Sequence, residues 1–416
     1  MSSLSTPPRG AVAPAILLIL TLAGFAAAAD RTTVDGVLHV RNGATPSQGT
    51  ETIALEELWR VGGDDEEVFF GLVAQVLTDD ADNAYLLDSQ LSQVEVFDLE
   101  GHHTGTLGRQ GEGPGEFNAA FDMVFMPDGT LGVSQSFPGK IVKLNLDGTP
   151  AGVFQPTLHE STAGGFLALV NCLSGGGNLV LAGLDISFDQ ATFTQDRRNF
   201  VASFDAEGKV VTEYVSVAKT WELRDFTLTE ELQDAVWGRL DVGADGKVYC
   251  GIPRDRYEIT VFAPDGRVEH VIERDYEPWR RNERALARMT AQMEGVMRQL
   301  PPGADYEVDA QSAALAGLTA REDGSLWVMN SRAMFTAGPG DYTYDVFDRE
   351  GEFVRQVTLH ADGRADEDAL IFAGEGRAFR ITGFWDALTS VLGGAGSGSE
   401  EDEESAPMEV ICYRIP

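Results

Sequence analysis

The chain has 416 residues, 43% of them hydrophobic and 9% aromatic, enough for a sizeable core and too apolar for disorder throughout. Its 66 acidic and 31 basic side chains leave a formal charge of −35, which repels phosphate backbones and anionic lipid and so excludes nucleic acid as a partner. The same charge suits cationic partners or metal ions.

Residues 1–29 read as a signal peptide. Arg9 precedes the apolar run in "AVAPAILLILTLAGF", and "AAAAD" supplies a small-residue cleavage site near Ala29. The strongly apolar part, Ile16 to Leu22, is shorter than the roughly 20 residues that span a bilayer. No later segment could span one, so a periplasmic or secreted mature protein is expected. Residues 30–51 form a lead-in.

From Thr52 onward one pattern recurs. "VEVFDLEG", "IVKLNLDG", "FVASFDAEG", "ITVFAPDG" and "YDVFDREG" end at Gly101, Gly148, Gly208, Gly266 and Gly351. Each is an alternating strand running into an Asp/Glu-Gly turn and then a second alternating stretch, the signature of a hairpin. A shorter hairpin precedes each, so the unit is four antiparallel strands, A to D. Six units follow, the last starting near Ala369 and ending at Pro416 without a strand D. Its missing strand lies at the other end: "TIALEELWRVGGDDEEVFFG" (Thr52–Gly71) matches "HHTGTLGRQGEGPGEF", both running strand, glycine, acidic stretch and Phe. The expected fold is all-β, a six-bladed β-propeller over residues 52–416 whose N-terminal strand closes the last blade.

The stretch "GRQGEGPGEF…FDMVFMPDGTLGVSQSFPGKIVKLNLDG" resembles the NHL-type repeat of exported bacterial six-bladed propellers, in which a G-x-x-G-x-G-P-G-x-F junction leads into strand A. The likeness extends over Thr52–Pro416 and is sharpest from Asp79 to Gly148.

Three insertions interrupt the repeat. Lys219–Gln233 separates blades 3 and 4. Tyr276–Ser312 separates blades 4 and 5, and Leu286, Met289, Met293, Val296, Met297 and Leu300 within it have helical spacing, giving a helical insertion at 276–303 stopped by "PPG". Residues 393–407, "GGAGSGSEEDEESAP", read as a disordered acidic loop between strands B and C of blade 6. Cys172, Cys250 and Cys412 sit in or beside strands and read as buried free thiols; Cys250 and Cys412 fall on different blades and are not expected to be linked.

The chemistry the sequence offers is sparse. "GRQGEGPGEF" lacks the GK[ST] ending and helix of a phosphate loop, and Pro114, Glu112 and Glu116 work against one. There is no GxSxG, and no Cys–His pair suggests a nucleophile. No catalytic residue is assigned. His102, His103 and His270 fall on or beside outer strands and His360 just after one, while His39 and His159 lie outside the blades. A channel zinc or iron centre is therefore not expected. The metal candidates are calcium ligands only: Asp80 and Asp82 in "TDDADN", and Asp122 near a strand A end. No other cofactor is expected.

Binding remains. Connections from strand D to the next strand A gather on one face, which would carry Arg109, Trp221 and Arg224 together with Trp279, Arg280, Arg281 and Arg284, a basic island in an acidic protein. Trp and Arg are favoured interface anchors. The expected function is a non-catalytic binding or scaffold module for protein or peptide, acting as a monomer. The alternative, by fold analogy alone, is a metal-dependent enzyme of lyase or lactonase type with a channel site.

Overall fold

Alternating side chains with an Asp-x-x-Gly turn make each unit a pair of hairpins. At the turns between strands C and D, the carboxylates of Asp98, Asp205 and Asp348 accept the amides two and four residues on, and the turn glycines adopt positive φ. The computed structural model describes residues 29–415 apart from 65–67, 159–164, 225, 235, 237, 299, 301–303, 375 and 392–405. The expected signal peptide and most of the acidic loop lie outside the described residues.

Six four-stranded antiparallel blades surround an axis, with strand A innermost. Blade 1 runs from Val73–Thr78 to His103–Leu107, and blade 2 from Ala120–Phe125 to Pro150–Phe154. Blade 6 takes Ala369–Phe372, Arg377–Ile381 and Glu409–Arg414 from the C-terminal end and Glu56–Gly62 from the N-terminal end. Every wedge between neighbouring blades, including that between blades 6 and 1, holds its own apolar cluster. Closure is therefore a packed contact as well as a hydrogen-bonded one.

The junction glycines have one physical reason. Gly108 has φ +70°, and a Cβ there would collide with the ring of fully buried Phe117. At the degraded copy, Gly62 has φ +85°, and a Cβ would come 2.8 Å from the Phe70 ring. The same glycine-on-phenylalanine contact thus seats both crossings.

The lead-in is itself structured. The hairpin Asp30–Val34 and Val37–Asn42 adds to the outer edge of blade 4, parallel to Val268–Arg274. Thr50–Ala54 then adds to blade 5, parallel to Phe353–His360. Thr52 accordingly lies on blade 5, and the closing strand begins at Glu56. One extended segment stitches the outer edges of three successive blades.

The first two insertions also differ from expectation. Lys219–Glu222 is not loop but the end of strand D of blade 3, Val210–Glu222, because strand C of that blade is long enough to pair with it throughout. Among the described residues four helices follow: α1 Glu230–Gln233, α2 Glu283–Met297, α3 Ser331–Thr336 and α4 Phe384–Val391. Helix α2 is the expected one, capped by Asn282, whose side chain accepts the Ala285 amide. Strand Thr227–Thr229 pairs in parallel with Asp305–Glu307, so the two insertions join. Together they bury Trp221, Leu223, Phe226, Leu228 and Met293 as a seventh cluster. They are one cap.

Cysteines 172, 250 and 412 are buried and unpaired, on strand A of blade 3, strand B of blade 4 and strand C of blade 6.

Candidate functional site

The cap is built around one carboxylate. Arg281 grips both oxygens of Glu230 and also donates to the Asp309 carbonyl, 2.8 Å away; Arg254 joins the same carboxylate. The Asp309 amide donates to Glu230 at 2.9 Å. Burial resists ionisation of Glu230, but the two arginines outweigh it and hold its carboxyl below the usual range. The N-terminal half of α2 is tied down by Arg284 to Glu367 at 2.6 Å and by Arg288 to Asp386 of α4 at 3.3 Å. Its apolar stripe meets the extended end of blade 3, while these ion pairs lie on the blade 6 side. Blades 3 and 6 are opposite in a six-membered ring, so the helix, roughly 22 Å long, crosses the channel mouth.

Of the residues nominated from sequence on this face, Trp221, Trp279 and Arg281 are buried and Arg109, Arg224, Arg280 and Arg284 are exposed. Trp221 is 1% exposed, stacked on Phe226 and covered by the Arg197 guanidinium at 3.4 Å. Trp279 is buried flat against Phe335, ring centroids 4.6 Å apart. Arg281 is buried in the Glu230 pair, and Arg284 is exposed but ion-paired. Arg224 is exposed, 5.9 Å from the Phe193 ring, and Arg280 is exposed beside the bridge to Gln311. Arg109 is exposed and pairs with Glu116, which also accepts the Gly113 amide, so it braces its own junction loop. None of these side chains lines either of the two cavities described below.

The calcium candidates are likewise dispersed. Asp80 is exposed, Asp82 pairs with Arg377 of blade 6 at 3.5 Å, and Asp122 is buried in blade 2. Among the described residues, three metal-type side chains come together only at Asp98, Glu100 and His102, on an exposed turn where Asp98 already accepts two backbone amides.

Two acids do line the channel, and the free inner edges of the strands explain them. Asp122 accepts Gln75 Nε2 of blade 1 at 3.0 Å and the Cys172 amide of blade 3 at 2.8 Å. Asp241 of blade 4 accepts the Ala320 amide of blade 5 at 2.7 Å. Each satisfies an inner-edge amide of the next blade, which would otherwise be unpaired. Desolvation pushes both carboxyls up to about 6. With their oxygens committed to amides and no third ligand beside them among the described residues, they do not fit a catalytic metal centre.

Below Asp241 the opposite face opens. Here the turns between strands A and B of blades 5 and 6 border a cleft of about 710 Å³. Trp327 and Phe372 form its aromatic wall, with ring centroids 5.6 Å apart, and Tyr344 backs Phe372 at 5.2 Å. The Arg321 guanidinium lies over both, 4.9 Å from Phe372 and 5.8 Å from Trp327. Glu51, Asp241, Glu322 and Asp323 line the remainder with Arg355, which reaches Glu51 at 3.6 Å. Strand-pattern reading missed this site because its parts come from the lead-in and blades 4, 5 and 6. A smaller cavity of about 110 Å³ lies beside strand D of blade 3, where Lys219 donates to the carbonyls of Glu231 and Asp234.

Solved structures share this architecture at low identity. A member of the DUF4221 family from Bacteroides vulgatus matches with TM-score 0.48 and 11% identity over 86% of this chain and 97% of its own. A candidate exported protein of Bacteroides fragilis matches at 0.45 and 11%, covering 89% and 99%. Virginiamycin B lyase from Staphylococcus aureus matches at 0.40 and 8%, covering 86% and 99%. The fold is a six-bladed β-propeller. At these identities the likeness concerns the fold alone. No protein-family model matches the chain, and no curated protein matches it. No helix among the described residues is long and apolar enough to cross a membrane.

Proposed function

We propose that this protein is an exported binding propeller that takes a protein or peptide partner in the turn-face cleft between blades 5 and 6. The observation that carries this reading is the cleft itself: a concave site of about 710 Å³ with an aromatic wall and charged groups around it. Binding pockets are concave with apolar walls and placed polar groups, and this one adds six charged side chains to its aromatic wall. The opposite face supports it by contrast, since Trp221, Trp279 and Arg281 there are spent on holding the cap. Export rests on the signal-like first 29 residues. The lyase or lactonase alternative gains no catalytic constellation from the channel acids.

Selection of peptides from a random library on the immobilised protein tests the reading. Selected peptides are expected to compete with one another, to lose binding to Thr319→Trp, which fills the cleft, and to keep it on Arg284→Ala in the cap. Binders that ignore Thr319→Trp and depend on the cap would overturn it.

A further inference from the structure

We propose that the turn-face cleft recognises a basic peptide by laying an arginine or lysine side chain over the contacting rings of Trp327 and Phe372, in the position that Arg321 now holds. This rests on the reading of the cleft as the binding site and adds the chemistry of its ligand.

Three observations converge. The first is Arg321 itself. Its guanidinium stands 4.9 Å from the centroid of Phe372 and 5.8 Å from that of Trp327, within the range at which a cation is drawn to an aromatic face. The cleft thus presents two π faces to a cation, and the chain supplies one of its own. Tyr344 packs against both rings and fixes their orientation, at 5.2 Å from Phe372 and 5.7 Å from Trp327.

The second is the local charge. Four carboxylates line the cleft, Glu51, Asp241, Glu322 and Asp323, against the two arginines 321 and 355. A second guanidinium over the rings takes the place of Arg321, and the carboxylates lining the cleft give both charges acidic company. An anionic ligand would meet an acidic excess there.

The third is the whole molecule. A formal charge of −35 draws cationic ligands toward any concave site and slows anionic ones. The cleft volume, about 710 Å³, lies within the range of roughly 300–1,000 Å³ that encloses a drug-sized molecule. It admits a short stretch of peptide rather than a folded domain, and the occupant is a basic segment of a partner chain.

The sign of one substitution separates this proposal from its rivals. Because Arg321 competes for the rings, Arg321→Ala is expected to bind a basic peptide several-fold more tightly, whereas a site for anions would lose its ligand with the same change. Isothermal titration with acetyl-Gly-Arg-Arg-Gly-amide, its citrulline counterpart and its glutamate counterpart reads this directly. The arginine peptide is expected to bind, the citrulline peptide at least tenfold more weakly and the glutamate peptide weakest. Phe372→Ala should cost at least tenfold, with folding checked by circular dichroism, and raising salt should weaken the arginine peptide. Arg321→Ala, at a half-buried turn position, keeps the test open if Phe372→Ala does not fold. Equal binding of the citrulline peptide, loss of binding in Arg321→Ala, or no binding of the arginine peptide at millimolar concentration would each overturn the proposal. Spermine binding as tightly as the peptide would overturn the choice of a peptide. A neutral or anionic library peptide that is lost on Thr319→Trp would defeat the cation and spare the cleft. Binders indifferent to Thr319→Trp would defeat the cleft itself.

Discussion

The two faces of the ring use the same residue types for opposite ends. On the cap face, Arg281, Arg254, Arg284 and Arg288 find Glu230, Glu367 and Asp386, and Trp221 and Trp279 are stacked out of solvent. On the turn face, Trp327 and Phe372 stay partly open, with Arg321 lying across them at the border of a cleft. A basic and aromatic island in sequence is therefore no measure of a binding surface. What separates the two is whether the rings are covered: Trp221 and Trp279 are buried, whereas Trp327 and Phe372 are only partly so.

Substitutions can break this contrast, beginning with the ring on which both faces depend. Deleting Glu56–Gly62 removes the outer strand of blade 6 and Trp59 from the wedge between blades 6 and 1. No cooperative unfolding transition should remain in urea, and a stable deletion variant would refute the closure. Within the cap, Glu230→Gln leaves buried Arg281 without its counter-ion, while Arg254 keeps Asp255 and Asp309. Removing one partner of such a pair costs about 3–5 kcal/mol, seen as a lower denaturation midpoint and faster amide exchange across α2. A midpoint within error of the wild type would show that Glu230 does not hold the cap together.

The channel acids give a smaller effect with a definite sign. The carboxyl of Asp122 is raised by burial to about 6 in the folded chain, so the native state binds its proton more tightly than the unfolded one between about pH 4 and 6. Its contribution is favourable below that window and is lost as the pH rises through 6, an effect of about 2–3 kcal/mol. Asp122→Asn deletes this dependence. The variant should be most destabilised relative to wild type near pH 4 and least near pH 8, measured by urea unfolding at each pH. A gap that widens with rising pH would contradict the assignment. The smallest effect is expected at Arg109, exposed and paired only within its own junction: Arg109→Ala should leave both the melting temperature and peptide binding unchanged.

The fold was legible because its evidence is local and repeated. Gly62 with Phe70 copies Gly108 with Phe117 closely enough to place the closing strand at the N-terminal end, and the structure shows the same steric contact at both. The helix at 283–297 was legible from the spacing of Met289, Met293 and Val296. The unity of the cap was not, since it depends on Thr227–Thr229 pairing in parallel with Asp305–Glu307, far along the chain. Helix α4 passed unread beside the more conspicuous Gly/Ser-acidic stretch. Least legible was the cleft, whose walls come from turns that look alike in every blade; only their assembly around Asp241, Trp327 and Phe372 distinguishes it.

Hydrogen exchange on the full chain with saturating acetyl-Gly-Arg-Arg-Gly-amide tests the central claim most directly. Slowed exchange is predicted at Ala320–Asp323 and Phe372–Gly374, with α2 and the Glu230 segment unchanged. Protection confined to α2 and the cap, with the turns of blades 5 and 6 unaffected, would contradict it.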